Sequence, residues 1–298
     1  MNSTTAGPVE AVFHSELEDY RKPLIPGAVG AILHRDNRPP DESAQRIDPG
    51  CHHDPVEPFA MTEVRQNVDA AEVAKFDALA TRWWDADGEF RPLHEINPLR
   101  LDWIRQHVEL NGCTSLDVGC GGGILTEAMA AAGAEVTGID IAEGPLAVAR
   151  LHQIESGASV DYRQATAEEF AEESAGQFDV VTCLEMLEHV PRPAQVVQAV
   201  ARLLQPGGHA FFSTINRNPK SFLFAIVGAE FVLKLLPAGT HEYRKFIRPS
   251  ELEAWSRSAG LELQSSIGMH YNPLTRDYSL GRGLDVNYLM YYRRPEAE

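Results

Sequence analysis

The chain has 298 residues, of which 44% are hydrophobic and 23% are charged, as in ordinary globular proteins. Its formal net charge of −17 argues against a protein that binds nucleic-acid phosphates, so we expect no nucleic-acid partner, although an acidic protein can still carry a local basic patch. The four cysteines lie far apart without metal-binding spacing, which is typical of reduced thiols in the cytoplasm. No uncharged apolar stretch reaches the roughly 18 residues of a membrane-spanning helix, and no signal peptide is recognisable.

The first 60 residues differ in composition from the remainder of the chain. They contain eight of the nineteen prolines and no sustained apolar period. Such a segment cannot bury enough apolar surface to offset the entropy that ordering it would cost. We therefore predict a disordered extension over residues 1–60 and a folded domain over residues 61–298.

From residue 70 onwards, apolar positions at helical spacing alternate with short apolar runs that are typical of strands. Two helices are predicted first, over residues 70–84 and 98–110. Strands and helices then alternate over 115–118, 124–132, 135–140, 145–156, 160–163, 178–183, 193–204 and 210–214. Because this alternation requires crossover helices between parallel strands, we predict an α/β fold with a doubly wound, mostly parallel sheet.

A glycine-rich turn follows the first predicted strand. Residues 116–123 have the sequence LDVGCGGG, with Gly119, Gly121 and Gly123 in the spacing G-x-G-x-G. Glycines allow a tight turn and leave room for a ligand against the main chain, and the helix that follows presents free N–H groups there. A dinucleotide-binding fold requires its third glycine where this chain has Ile124.

Two acidic residues accompany the glycine turn. Asp117 precedes it, and a carboxylate there would repel a pyrophosphate but would accept the amino group of an amino-acid moiety. Asp140 ends the next strand, where a carboxylate can accept both hydroxyls of a ribose. These residues favour an adenosyl ligand that carries an amino acid over NAD. The alternative interpretation is a glycine turn required only for close packing of strand and helix.

Three further strings accompany the turn: VTGID at 136–140, FDVVTC at 178–183 and QPGG at 205–208. Together they resemble the class I S-adenosylmethionine-dependent methyltransferases. The resemblance implies a Rossmann-like sheet of seven strands with N-terminal helices, S-adenosylmethionine as cofactor, and a methyltransferase domain over 61–298. It also implies a set of residues that contact the cofactor: Asp117, Gly119, Gly121, Asp140, Ala167 and Leu184.

Six longer strings narrow the resemblance: KFDALATRWWD, LHEINPLR, LEMLEHVP, FFSTINRNPKS, GTHEYRKFI and GMHYNPLT. They resemble the ubiquinone-biosynthesis O-methyltransferases over residues 68–288. This resemblance implies methylation of ring hydroxyls in 2-polyprenyl-6-hydroxyphenol and 3-demethylubiquinol, and it implies that Arg100 reaches the carboxylate of the cofactor. The partners it implies are a polyprenylated phenol or hydroquinone substrate and other enzymes of ubiquinone biosynthesis.

The string LEMLEHVP carries the candidate catalytic residues. Glu185, Glu188 and His189 directly follow a predicted strand, and their i, i+3, i+4 spacing places them on one face if the segment is helical. Two carboxylates and an imidazole can coordinate a divalent ion, and a bound cation or a base favours the oxyanion of a catechol. We predict that these three residues bind Mg²⁺ or act as the base, with His241 as a second candidate base. The alternative interpretation is a solvated acidic helix start.

An apolar insert follows the fifth predicted strand. Residues 221–237 are nearly all apolar, but the segment is short and contains Glu230 and Lys234, so it is not expected to span a bilayer. Four cations flank it: Arg217, Lys220, Arg244 and Lys245. Because a polyprenyl substrate is collected from a membrane, we predict that an insert over 216–245 contacts anionic lipid. A cytoplasmic protein would then bind peripherally at the inner membrane. The alternative is a buried helix that covers the core.

Other classes of function remain as alternatives at this stage. A nicotinamide-dependent oxidoreductase is disfavoured by Ile124 and by the absence of a recognisable Tyr-x-x-x-Lys motif. A lipid-bound scaffold could retain the nucleotide-binding fold without catalysis. A methyltransferase could also act on another small phenol.

Overall fold

The computed structural model describes residues 67–221 and 243–296. The predicted extension over 1–60, His241 and most of the predicted insert lie outside these residues. The helices are α1 (Ala70–Leu79), α2 (Arg91–Arg105), α3 (Ile124–Ala131), α4 (Glu143–Ser156), α5 (Ala167–Glu173), α6 (Pro193–Leu203) and α7 (Pro249–Ser258). The strands are β1 (Thr114–Val118), β2 (Glu135–Asp140), β3 (Val160–Gln164), β4 (Phe178–Leu184), β5 (Leu204–Ile215), β6 (Glu262–Asn272), β7 (Asp277–Gly281) and β8 (Asn287–Arg293). Short helical turns are Ala80–Arg82, Leu187–His189, Pro219–Ser221 and Tyr243–Lys245.

These strands form one sheet in the order β3-β2-β1-β4-β5-β8-β6-β7. Strands β1 to β5 are parallel, whereas β8 is antiparallel to β5, and β6 is antiparallel to β8 and to β7. The doubly wound α/β fold is confirmed, with eight strands in place of the predicted seven. The strand order reverses between β1 and β4, and in open α/β sheets ligands bind at the carboxyl ends of the strands beside such a reversal.

Helices cover both faces of the central strands, which explains why β1 and β4 are almost wholly buried. On one face, Val197 of α6 and Phe170 of α5 pack into the same cluster as Leu116 of β1. On the other face, Ile104 of α2 and Met129 of α3 form a second cluster. Side chains alternate between the two faces along each strand, so both faces of the sheet contribute to the core.

The predicted bounds hold best for the first four strands, each of which begins and ends within one residue of its prediction. Helix α2 begins earlier than predicted, because Pro92 occupies its first turn while Pro98 is tolerated in its interior. The predicted turn at 205–208 lies within β5, where the register of pairing with β4 shifts. In the described part of the chain, no helix combines the length and hydropathy needed to cross a bilayer.

Candidate functional site

A cavity of about 300 Å³ opens at the carboxyl ends of β1, β2 and β4. Helix α1 contributes Glu72 and Phe76 to its lining. The lining includes all ten of the predicted site residues that the structure describes: Arg100, Asp117, Gly119, Gly121, Asp140, Ala167, Leu184, Glu185, Glu188 and His189. The fold therefore collects residues that span 90 positions of sequence around one space.

The glycine turn has a left-handed backbone conformation that residues with a side chain rarely adopt. The φ angles of Gly119, Gly121 and Gly123 are 73°, 54° and 89°, all in the left-handed region. The amides of Gly119 and Cys120 both donate to the carbonyl of Ile139, at 2.8 and 3.0 Å, which ties the turn to the end of β2. A Cβ at Gly123 would lie 2.2 Å from the Tyr162 hydroxyl. Conformation and packing thus both require glycine here.

Asp117 lies beneath the turn and is almost fully buried. Its Oδ1 accepts a hydrogen bond from the Thr182 hydroxyl and its Oδ2 accepts one from the Thr126 hydroxyl, each at 2.7 Å. Burial raises the pKa of this carboxyl, and the two hydroxyl donors act against that effect. The hydroxyls fix the carboxylate in place, and each oxygen keeps a lone pair for a further donor.

Asp140 connects the glycine turn to the start of α4. Its Oδ2 accepts a hydrogen bond from the Gly121 amide and its Oδ1 accepts one from the Ala142 amide, each at 2.9 Å. Burial raises the pKa of Asp140, and these backbone donors act in the opposite direction. Ala167, the first residue of α5, and Leu184, the last of β4, supply buried apolar surface to the same cavity.

Glu185 follows β4 in a left-handed conformation with φ of 55°, which costs a residue other than glycine about 1 kcal/mol or more. Its Oε1 accepts hydrogen bonds from Arg100 Nη2 at 2.9 Å, from Ser213 Oγ at 2.7 Å and from Asn287 Nδ2 at 3.0 Å. The three hydrogen bonds offset the cost of the left-handed conformation of Glu185. Among the described residues, the buried Nε of Arg100 has no hydrogen-bond partner, which suits a guanidinium that receives the carboxylate of a ligand.

Glu188 is a buried carboxyl at the cavity, only 3% exposed. Its Oε2 accepts a hydrogen bond from the Thr214 hydroxyl at 2.8 Å. Burial, together with the charge of Glu185, raises the pKa of Glu188 to about 7. A carboxyl with such a pKa can accept and release a proton near neutral pH, as a general base does.

His189 ends the short turn Leu187–His189 and faces helix α1. Its Nδ1 lies 3.1 Å from Oε2 of Glu72, and the edge of Phe76 packs at 5.0 Å between ring centroids. Burial alone would lower the pKa of His189, but the hydrogen bond to Glu72 and the surrounding carboxylates outweigh it, so the pKa is raised.

The condition for a shared face, a helix over Glu185 to His189, is not met in the structure. Glu185 follows β4 in a left-handed conformation and only Leu187–His189 is helical, so Glu185, Glu188 and His189 do not share a helix face. Each has a different protein partner, and within residues 67–221 and 243–296 no three His, Cys, Asp or Glu side chains are grouped to hold a metal ion. The arrangement of the described side chains therefore does not fit a three-ligand Mg²⁺ site.

The sequence motifs missed the contribution of helix α1. Glu72 stands among the apolar positions Val73 and Phe76, and all three line the cavity. Asn67, just before the helix, accepts the Arg192 amide at 2.7 Å and donates to the Arg192 carbonyl at 3.1 Å, which fastens α1 to the segment after His189. An acidic residue beside the apolar stripe of an amphipathic helix was the available signal.

Comparison with known proteins identifies the family to which the chain belongs. Residues 63–266 match a family model described as a methyltransferase domain. The chain is 67% identical over 228 residues to the ubiquinone biosynthesis O-methyltransferase of Pseudomonas paraeruginosa, covering 76% of this chain and 98% of the relative. It is 66% identical over 230 residues to the enzyme of the same name from Azotobacter vinelandii, covering 77% and 99%.

Among solved structures, the chain is similar to magnesium protoporphyrin IX methyltransferase from Synechocystis PCC 6803 with bound SAH. The TM-score is 0.56 at 17% identity, over 74% of this chain and 94% of the other. At this identity the likeness shows the fold alone. The family match and the two relatives go further: the chain is an S-adenosylmethionine-dependent methyltransferase and belongs to the family of ubiquinone biosynthesis O-methyltransferases.

Proposed function

We propose that this enzyme transfers a methyl group from S-adenosylmethionine to ring hydroxyls of 2-polyprenyl-6-hydroxyphenol and 3-demethylubiquinol. The observation that carries the proposal is 67% identity over 98% of a relative that is named for ubiquinone biosynthesis. The cavity supports it, because a glycine turn suited to the donor and a buried carboxyl suited to a phenol proton line the same space.

The donor half of the site holds the cofactor, which supplies an electrophilic methyl group on a sulfonium when bound. Arg100 would receive its carboxylate through the unpartnered Nε, and Asp117 its amino group. Gly119 and Gly121 leave the backbone open to the donor, and Asp140 would accept hydrogen bonds from the ribose hydroxyls. Two apolar residues that line the cavity would cover the adenosyl group: Ala167 and Leu184.

The acceptor half receives the phenol. Glu188 accepts the proton of the ring hydroxyl as the oxygen attacks the methyl carbon, so that an O–C bond forms while the S–C bond breaks. Glu185 positions Arg100, and His189 stands beside Glu188 on the same turn. His241 lies outside the described residues, so its predicted role as a base stays a prediction.

Mg²⁺ stays a prediction of the sequence, and no step above passes through it. If the cation is required, excess chelator will abolish turnover and added Mg²⁺ will restore it. The control is the thermal shift produced by S-adenosylhomocysteine, which chelation should leave unchanged. Full turnover in excess chelator would show that no cation is required. Glu188 would then be the group that promotes deprotonation of the phenol.

The proposed function is tested by turnover of a short-chain demethylubiquinol analogue. We expect methylation of this analogue with a kcat/KM at least about tenfold above that of an unprenylated catechol, because the prenyl group adds apolar contact. S-Adenosylhomocysteine should raise the melting temperature and NAD should not. Equal rates with both acceptors would favour a methyltransferase of another small phenol, and binding without turnover would favour a scaffold.

The membrane part of the proposal concerns the insert over 216–245. We expect the enzyme to float with anionic liposomes, and we expect Phe222→Asp/Phe224→Asp to abolish flotation by removing apolar insertion. Leu274→Asp is the control, since Leu274 is 93% exposed and lies outside the insert. Equal flotation of all three proteins would end the proposal of peripheral binding at the inner membrane. The disordered extension over 1–60 and association with other enzymes of the pathway stay predictions of the sequence.

A further inference from the structure

Glu72 is a buried charged residue that α1 brings to the cavity beside His189. It is 6% exposed, and its Oε2 lies 3.1 Å from Nδ1 of His189, 117 positions further along the chain. One helical turn later, Phe76 packs edge-on against the same imidazole, with the two ring planes at 84°. Residues four apart share a helix face, so α1 holds the His189 ring at two points.

The hydrogen bond between Glu72 and His189 determines which ring nitrogen of a neutral imidazole carries the proton. An ionised carboxylate only accepts hydrogen bonds, so Nδ1 must be the donor. Nε2 of His189 is then the nitrogen with the free lone pair. Carboxylates that bond one nitrogen of a working histidine orient the ring in this way in many enzymes.

Two lysines keep the Glu72 carboxylate charged. Lys75 Nζ and Lys245 Nζ each lie 3.0 Å from its Oε1, the oxygen that does not contact His189. The bond from His189 and those from the lysines lower the pKa of Glu72 well below its ordinary range, against the effect of burial. The carboxylate therefore remains an acceptor across the physiological pH range.

From this geometry we propose that Glu72 is a positioning residue of the methyl transfer, which holds His189 as the Nδ1–H tautomer and leaves Nε2 to accept a hydrogen bond from the acceptor's ring hydroxyl. The inference rests on the proposed function, and it adds a residue of the N-terminal helix to the acceptor half. It also explains why a charged residue is buried beside the apolar wall of the cavity.

The test combines ¹⁵N NMR of the histidine side chains with steady-state kinetics on the full-length enzyme. At a pH above the raised pKa of His189, where the ring is neutral, wild type should show the Nδ1–H tautomer, and His189→Asn assigns its signal. In Glu72→Gln the amide no longer enforces this tautomer, so the Nε2–H form should appear and kcat should fall about 10- to 100-fold. The KM for S-adenosylmethionine should stay within about twofold, because the donor half is untouched.

Glu155→Gln is the matched control, since it makes the same substitution at an exposed glutamate of α4 that does not line the cavity. It should preserve both the tautomer and kcat. An Nε2–H tautomer in wild type, or an unchanged kcat in Glu72→Gln, would overturn the proposal. If Glu72→Gln fails to fold, the wild-type tautomer still decides. The NMR result does not depend on turnover, so wild type with the Nδ1–H tautomer but no activity on phenols would refute only the proposed function.

Discussion

Glu188→Gln should remove most of the activity and yet stabilise the folded protein above neutral pH. The loss of activity follows from the loss of the proton acceptor, and we expect kcat to fall about 100-fold or more. The gain in stability follows from burial: an ionised carboxylate is costly at a site that is 3% exposed, whereas a neutral amide is not. The glutamine oxygen can still accept the Thr214 hydroxyl.

The pKa of Glu188 determines at which pH the variant is more stable than wild type. The ordinary pKa of a glutamate is near 4.5, and in the folded protein that of Glu188 is raised to about 7. Between these values the folded state holds the proton more tightly than the unfolded chain. The stabilising contribution is therefore fully present below pH 4.5 and is lost as pH rises through 7. Relative to wild type, the variant should gain about 1–3 kcal/mol in free energy of unfolding over this range.

Chemical denaturation in the presence of EDTA, on both sides of this window, measures the effect without interference from metal ions. Glu155→Gln is the control, because Glu155 is an exposed glutamate on α4 and should change neither stability nor kcat. If Glu188→Gln is less stable than wild type at alkaline pH, the burial argument fails. If its kcat stays within about tenfold of wild type, the role of base belongs to another group.

Gly119→Ala should weaken binding of the methyl donor and should lower the free energy of unfolding by more than backbone strain alone explains. Any alanine at its φ of 73° costs about 1–2 kcal/mol. At Gly119 the new Cβ would also lie 2.5 Å from Cγ and 2.8 Å from Cβ of Met186. Met186 would have to move together with the Leu187–His189 turn that follows it. We expect a total cost of about 2–4 kcal/mol and at least a tenfold loss of affinity for S-adenosylhomocysteine.

Gly157→Ala separates the two contributions. Gly157 has the same φ of 73°, but nothing lies within 4 Å of a Cβ built on it. This variant should lose only the backbone contribution of about 1–2 kcal/mol and should bind S-adenosylhomocysteine as wild type does. Calorimetric titration and chemical denaturation of the two variants measure both effects. Equal affinities in the two variants would show that the glycine turn does not contact the donor.

The helices and strands from β1 to β5 could be predicted because their sequence patterns involve only neighbouring residues. The run that forms β2 and the glycines that open α3 each depend on residues within a few positions. Strands that form only by pairing with other strands were not predicted. Strand β7 is short and half-exposed, and it forms by pairing with β6, so its own residues carry little periodicity. The residue pattern accordingly predicted the layers and β1 to β5 but located none of β6, β7 and β8, and the count of seven strands came from the family resemblance.

The same division applies to the site. By itself, the sequence determined the turn at 116–123 and the acids that accompany it, because parallel strands bring their carboxyl ends to one edge. Only the tertiary structure decided how the acceptor half is arranged. It placed Glu185 in a left-handed conformation beside Arg100, buried Glu188 against Thr214, and brought Glu72 to His189. These features depend on burial and on contacts between residues far apart in the chain, and no spacing within a motif encodes either.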